Sequence, residues 1–157
     1  MNRPDFKVSV FGIIINDQDQ VLLCLRNDYD VWNLPGGGLE KGEAPWEGVI
    51  REITEETGIN VNVSRLVGVY SKPQKDEIVF IFECSVVGGK LTLTDEARDI
   101  KYFSKEKIPS NTVEKQVERI NDYFNSAVLT LKKQTGPSFL ETIQKDKLPS
   151  PKETPVT

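Results

Sequence analysis

Apolar and polar positions near the N-terminus are grouped in the way that is typical of short β-strands. Residues 6–16 and 21–26 are rich in β-branched and aromatic side chains, and a run of Asn, Asp and Gln separates them. Residues 32–34 form a short extended segment that ends at a proline and three glycines. This pattern predicts two strands joined by a turn, followed by a third short extended piece.

Helical spacing of apolar residues occurs twice in the chain. Residues 43–57 repeat apolar positions every three or four residues and end at Gly58, a residue type that commonly ends helices. Residues 112–126 repeat in the same way, and Asn111 with Glu114 resembles a capping box. The stripe of the first helix that we expect to bury against a sheet consists of Trp46, Val49, Ile50 and Ile53.

Four further segments are predicted as strands between the two helices, at residues 65–71, 76–87, 91–94 and 100–103. Their connections have hairpin length, and helical segments are too few for a repeated βαβ winding. The order of elements therefore predicts an α/β (α+β) fold in which a mixed central sheet is flanked by helices.

The length of 157 residues suits one domain. We expect that domain to cover residues 1–133, because residues 134–157 are rich in proline and poor in apolar side chains and should form a weakly ordered tail. The alternative is that Phe139, Leu140 and Ile143 dock as one amphipathic turn.

Composition excludes several classes of protein. The chain has no histidine, which removes Ser-His-Asp catalysis, His-ligated zinc and a histidine general base. Its apolar runs are far shorter than the roughly 20 residues that cross a bilayer, and no signal-peptide stretch precedes the first strand. Cys24 and Cys84 fall in strand patterns and are expected to be reduced core residues. The predicted location is the cytoplasm, without a membrane partner.

The acidic excess is concentrated in one segment. Residues 37–59 hold six glutamates and two basic residues and so carry a net charge of −4, which equals that of the whole chain. A pI near 5.0 argues against a nucleic-acid-binding domain, so nucleic acid is not an expected partner.

Three of these glutamates share one face of the predicted helix. Glu52 lies three and four residues before Glu55 and Glu56, near the helix C-terminus, where the macrodipole disfavours anions. The three carboxylates also repel one another. A divalent cation bound among them would reverse the sign of both the repulsion and the macrodipole effect. All-oxygen ligands indicate Mg²⁺, with Mn²⁺ as an alternative. Gly48, four residues earlier, is expected to leave room on this acidic face. The competing interpretation is a solvated charged face without a ligand.

The spacing of these residues resembles a known motif. Gly37, Glu43 and the run at residues 51–59 fill every fixed position of the Nudix box, G-x5-E-x7-R-E-U-x-E-E-x-G-U, in which U is aliphatic. The preceding residues 32–38 are similar to the usual entry to the box. The resemblance covers about residues 7–126 and implies the Nudix α/β/α sandwich.

The resemblance implies a Mg²⁺-dependent pyrophosphohydrolase that cleaves the phosphoanhydride of a nucleoside diphosphate derivative. It implies Glu52 and Glu56 as the principal metal ligands, Glu55 as a third ligand or the general base, and Arg51 as the residue that orients them. Two further metal ligands are expected, the carbonyl of Gly36 and the side chain of Glu96, although Glu96 equally fits an exposed loop residue. The substrate-binding candidates are Arg26, Tyr29, Gly37 and Gly38.

The substrate stays open at this point. Pro73 resembles a downstream proline of the ADP-ribose-hydrolysing branch, but a nucleoside triphosphate fits the residues as well. Two alternatives are a non-catalytic nucleotide-sensing module on the same fold and a pyrophosphohydrolase of RNA 5′ ends. The expected partners are a small nucleotide and a second copy in a homodimer.

Overall fold

The computed structural model describes residues 2–137 and Phe139. Most of the predicted tail, together with Leu140 and Ile143, therefore lies outside the described residues. The described part contains eight strands and two α-helices. The strands are β1 (Lys7–Ile14), β2 (Val21–Arg26), β3 (Trp32–Asn33), β4 (Gly36–Gly38), β5 (Ile59–Lys72), β6 (Glu77–Gly89), β7 (Ala97–Phe103) and β8 (Thr130–Lys133). The helices are α1 (Pro45–Thr57) and α2 (Glu114–Asn125).

The strands form two sheets. The larger sheet has the order β4-β1-β6-β5-β8, in which β1 runs parallel to β6 and β5 parallel to β8, while the other two pairs are antiparallel. The smaller sheet has the order β3-β2-β7 and is antiparallel throughout. The predicted mixed sheet with flanking helices is confirmed.

Two apolar clusters hold the layers together. One joins Ile53 and Val49 of α1 to strand residues such as Val10 and Phe82. The other joins Ile120 of α2 to a separate set of strand residues that includes Tyr70 and Ile81. Cys24 and Cys84 are both buried and free, as the sequence predicts. Within the described residues, no helix has the length and apolar character that a membrane crossing requires.

The predicted strand at 91–94 is wrong. These residues form an irregular connection in which Leu91 and Leu93 are exposed, and the backbone N–H of Thr92 donates to the Thr57 carbonyl at 2.8 Å. This backbone bond is made to the C-terminal end of α1 and not to a neighbouring strand, so the segment is not part of a sheet. The helix ends at Gly58, which has a left-handed φ of 81°.

Further differences concern the ends of elements. Helix α1 begins at Pro45, and Trp46 in its first turn is 58% exposed instead of buried. The predicted capping box of α2 is absent, since the N-cap is Val113 and the side chain of Asn111 donates to the carbonyl of Asp30. Strand β8 was not predicted.

Candidate active site

Arg51 is the centre of the hydrogen-bond network on the acidic face of α1. Its guanidinium donates to both carboxylate oxygens of Glu43 at 2.7 and 2.9 Å, and to Glu52 and Glu55 at 3.2 and 3.1 Å. It also reaches the carbonyl of Gly38 at 3.2 Å. The guanidinium lowers the pKa of Glu43 by hydrogen bonding. Arg51 thus holds three glutamates of the box in fixed positions.

Three carboxylates meet at the C-terminal end of α1. Single oxygens of Glu52, Glu56 and Glu96 all lie within 4.8 Å of one another. Glu52 and Glu56 are four residues apart on the helix, and Glu96 comes from the loop before β7. The structure therefore brings the predicted residue Glu96 to the two principal candidates, whereas Glu55 is outside this group and pairs with Arg51.

Glu56 is the most buried member of this cluster. It is 6% exposed and accepts a hydrogen bond from the backbone N–H of Gly36 at 3.1 Å. Burial, and then the charges of Glu96 and Glu52, raise its pKa to about 8, although the Gly36 bond acts in the opposite direction. Burial also raises the pKa of Glu52, while Arg51 opposes that shift. Without a cation, the cluster therefore favours a protonated carboxyl at neutral pH.

The chemistry of this donor set fits a divalent metal ion. All three side chains offer oxygen only, and together they would bring three negative charges into a small volume. A hard cation such as Mg²⁺ or Mn²⁺ would compensate that repulsion, while Zn²⁺ usually takes nitrogen or sulfur ligands. Glu52, Glu56 and Glu96 are the residues that would hold it.

The glycines near the cluster have separate roles. A Cβ on Gly37 would lie 2.7 Å from the carboxylate of Glu52, so Gly37 makes room for that side chain. The expectation that Gly48 clears the acidic face for a ligand is wrong, because a Cβ there would meet the side chains of Leu39 and Glu43.

The predicted substrate-binding residues lie beside the cluster with different exposures. Arg26 forms a bidentate ion pair with Asp28, with bonds of 2.6 and 2.5 Å. Tyr29 is buried and packs edge-on against the ring of Phe139 at 5.5 Å, and Arg26 lies over both rings. Gly37 and Gly38 line the same groove as Arg26.

Two residues near the cluster were not predicted from the sequence. Burial raises the pKa of the Cys24 thiol well above its usual value, and the charge of Glu56 adds to that shift. The hydroxyl of Thr94 donates to the Glu56 carbonyl at 3.1 Å and accepts from the backbone N–H of Glu96 at 3.3 Å. Neither residue belongs to the box, so its spacing gave no signal for them.

A groove of about 1580 Å³ is lined by Glu56 and Glu96 of this cluster and by the first residues of α2. Glu56 and Glu96 line one part of it, and Lys7, Lys72 and Arg119 line another part. The groove is large enough for an extended small molecule, since ligand pockets commonly measure about 300–1,000 Å³.

An α/β/α sandwich with a glutamate cluster at the end of one helix, beside a long groove, defines a class of phosphoanhydride hydrolases. The model of the NUDIX domain family matches residues 5–124, and the chain belongs to the Nudix family. It is a hydrolase of phosphorus-containing acid anhydrides, and Nudix enzymes generally use a divalent metal.

Known proteins from three organisms are similar to this chain. A Bacillus subtilis protein named "Putative 8-oxo-dGTP diphosphatase" is 36% identical over 118 residues, which are 74% of this chain and 79% of that protein. An ADP-ribose pyrophosphatase of Methanocaldococcus jannaschii is 39% identical over 108 residues, 65% of this chain and 64% of the relative. The crystal structure of a NUDIX hydrolase from Nitrosomonas europaea has a TM-score of 0.77 at 23% identity, covering 86% of this chain and 82% of that one.

Proposed function

We propose that this protein is a Mg²⁺-dependent pyrophosphohydrolase that cleaves the phosphoanhydride of a nucleoside diphosphate derivative, either an ADP-ribose-like compound or a nucleoside triphosphate. The observation that carries the proposal is the meeting of Glu52, Glu56 and Glu96 within 4.8 Å, with Glu56 and Glu96 lining a groove of about 1580 Å³. The names of two relatives, an 8-oxo-dGTP diphosphatase and an ADP-ribose pyrophosphatase, support both substrate types. The cytoplasmic location and the homodimer stay predictions.

In this proposal, Glu52, Glu56 and Glu96 hold the metal ion. When bound, the ion supplies charge neutralisation for the phosphates, which an acidic surface would otherwise repel. Arg51 keeps Glu52 in position through its hydrogen bond, and the Gly36 N–H does the same for Glu56.

Glu55 is the proposed general base. It lies outside the three-carboxylate cluster, is about half exposed, and accepts a hydrogen bond from Arg51 that holds the carboxylate in place. Its carboxylate takes a proton from water as the water oxygen forms a bond to one phosphorus. The bond from that phosphorus to the bridging oxygen breaks, and the leaving phosphate departs with the electron pair.

The test is a hydrolysis panel with Mg²⁺, Mn²⁺ or EDTA that includes ADP-ribose and the common nucleoside triphosphates. Glu56→Gln is expected to lower kcat by at least roughly 100-fold, because one metal ligand loses its charge. Glu47→Gln is the matched control, since Glu47 lies exposed on the same helix and its amide can still accept from the Ala44 N–H. Equal turnover by wild type and Glu56→Gln, or full activity in EDTA, would contradict the proposal.

A further inference from the structure

One buried cation in the groove has no role in the proposed hydrolysis. Arg119 of α2 is 3% exposed, yet it lines the same groove as Glu56 and Glu96. Its guanidinium lies over the rings of Phe11 and Tyr70, at 5.8 and 5.4 Å from the ring centres. Buried arginines are normally paired with a carboxylate, because an unpaired charge is costly to remove from water.

Among the described residues, no carboxylate forms an ion pair with Arg119. The nitrogens Nε and Nη2 both donate to the side-chain oxygen of Gln134, at 3.0 and 2.8 Å. Gln134 is itself fixed, because its amide donates to the Lys115 carbonyl at 2.9 Å and its backbone N–H to the Ser71 carbonyl at 2.8 Å. The guanidinium is therefore held at one edge by a neutral group.

The other edge of the Arg119 guanidinium has N–H donors that no described protein group uses. Nη1 has no hydrogen-bond partner in the described part of the chain. It is also not fully buried, so this nitrogen keeps some access to solvent. Since Arg119 lines the groove, Nη1 is accessible from it. Burial lowers the pKa of Arg119 only to about 10, so the side chain stays charged at neutral pH and acts as a donor only.

The surroundings of Arg119 suit a flat, uncharged ring with acceptor atoms on one edge. Phe11 and Val79 line the groove, and so do Lys7, Lys72 and Glu77, of which Lys72 and Glu77 form an ion pair at 2.9 Å. The carboxylate of Glu77, whose charge acts on Arg119, disfavours a phosphate there, whereas the metal cluster offers phosphates a compensated site. A planar arginine edge pairs with the O6 and N7 acceptors of guanine, while adenine carries an amino donor in place of O6.

We propose that Arg119 recognises the O6 and N7 edge of a 6-oxopurine base, so that the enzyme prefers guanine-type nucleotides to adenine nucleotides such as ADP-ribose. This inference rests on the proposed function, because it assigns the base end of the substrate to the part of the groove near α2. It selects one of the two substrate types that the proposed function left open.

The direct test is the affinity of the wild-type protein for nucleoside monophosphates, measured by titration calorimetry. Monophosphates have no phosphoanhydride, so their binding is measured independently of hydrolysis. GMP and IMP, which share O6 and N7, are expected to bind at least roughly tenfold more tightly than AMP. The monophosphate of 7-deazaguanosine, which lacks N7, should bind more weakly than GMP. Equal affinity for GMP and AMP would overturn the proposal whether or not the protein is a hydrolase.

Variants separate recognition from a purely structural role. Arg119→Lys keeps the charge without the planar edge, and it should weaken GMP and IMP binding while AMP binding changes less than about threefold. Arg65→Lys is the matched control, because Arg65 also lies over an aromatic ring, that of Tyr123, and does not line the groove. A uniform loss for GMP, IMP and AMP in Arg119→Lys would contradict base recognition. If this variant does not fold, as judged by circular dichroism, the wild-type series still decides the question.

Discussion

Gly37 decides where the carboxylate of Glu52 can lie. A side chain at this position would begin 2.7 Å from the Glu52 carboxyl carbon, a distance that packed atoms do not tolerate. The neighbouring Gly38 has open space at the same point, with no atom within 4 Å. Gly37 and Gly38 are neighbours in the same run of glycines, but only Gly37 leaves space that the Glu52 carboxylate needs.

A matched pair of alanine variants tests this difference. Gly37→Ala is expected to displace the Glu52 carboxylate and to weaken Mn²⁺ binding by roughly tenfold or more, since a misplacement of about 1 Å is costly in a preorganised site. Gly38→Ala should keep the metal affinity of the wild type. Mn²⁺ titration followed by electron paramagnetic resonance measures both affinities, and equal losses in the two variants would contradict the assignment.

At the residue scale, the sequence predicted the glutamates of the three-carboxylate cluster better than the contacts of the residues around it. The spacing of Glu52 and Glu56 is enough to place both on one helical face, and the structure brings Glu96 to them. Sequence could not indicate that Glu55, which pairs with Arg51, lies outside this group, because the position of a carboxylate depends on the side-chain rotamer. For the same reason, the sequence does not show that Leu39 and Glu43, and not a ligand, occupy the space beside Gly48.

At the scale of elements, the irregular connection before β7 links the helix to the metal cluster. Thr92 and Thr94 satisfy carbonyls of the last turn of α1, and the Thr94 hydroxyl also accepts from the backbone of Glu96. The alternation of Leu and Thr in this segment is typical of a strand, which explains the wrong prediction. Its hydrogen bonds instead fix Glu96 beside the C-terminus of α1.

Thr94→Val tests the function of this connection. Losing the hydroxyl removes two hydrogen bonds and should lower the free energy of unfolding by about 1–3 kcal/mol, at a net worth of about 0.5–1.5 kcal/mol for each bond. It should also weaken Mn²⁺ binding several-fold, because the Glu96 N–H loses its acceptor.

Thr92→Val is the control for that experiment. The Thr92 hydroxyl donates only to the carbonyl of Lys90, and its backbone bond to Thr57 remains in the variant. Urea denaturation and metal titration measure the two effects. If Thr92→Val weakened metal binding as much as Thr94→Val, the link through Glu96 would be wrong.

For the whole molecule, Glu56 couples folding stability to pH. Its pKa is raised from 4.5 to about 8 in the folded protein without metal. Between these two values, the folded protein keeps a proton that the unfolded chain has released. Stability in metal-free buffer must therefore fall as the pH rises from about 4.5 to about 8, and this contribution is unfavourable above that range.

Replacing Glu56 by glutamine should remove this dependence. In EDTA, the melting temperature of Glu56→Gln is expected to exceed that of wild type by a margin that grows between pH 5 and pH 8. Mg²⁺ should raise the melting temperature of wild type and have little effect on the variant, since a ligand that binds only the folded state stabilises it. Differential scanning fluorimetry measures the melting temperatures of both proteins, each in EDTA and in Mg²⁺. If the difference between the two proteins in EDTA did not change with pH, Glu56 would not titrate in this range.

The sequence predicts the fold class of the whole molecule, but it does not predict how all of the strands pair. Hydrophobic periodicity and the motif gave the mixed sheet between helices, because each depends on residues close together in sequence. The pairing of β8 with β5 and the separation into two sheets depend on contacts between distant residues. The four residues of β8 carry two lysines and an exposed leucine, so no buried pattern marks them as a strand.

The position of β1 in the larger sheet has a consequence for synthesis of the chain on the ribosome. Both neighbours of β1 come later in sequence, and its longest pairing is with β6, about seventy residues downstream. Until β6 has left the exit tunnel, the apolar first strand has no parallel partner and must be kept from aggregating. The β5–β6 hairpin has local pairing and should form early, and it then offers the nascent chain an edge onto which β1 docks.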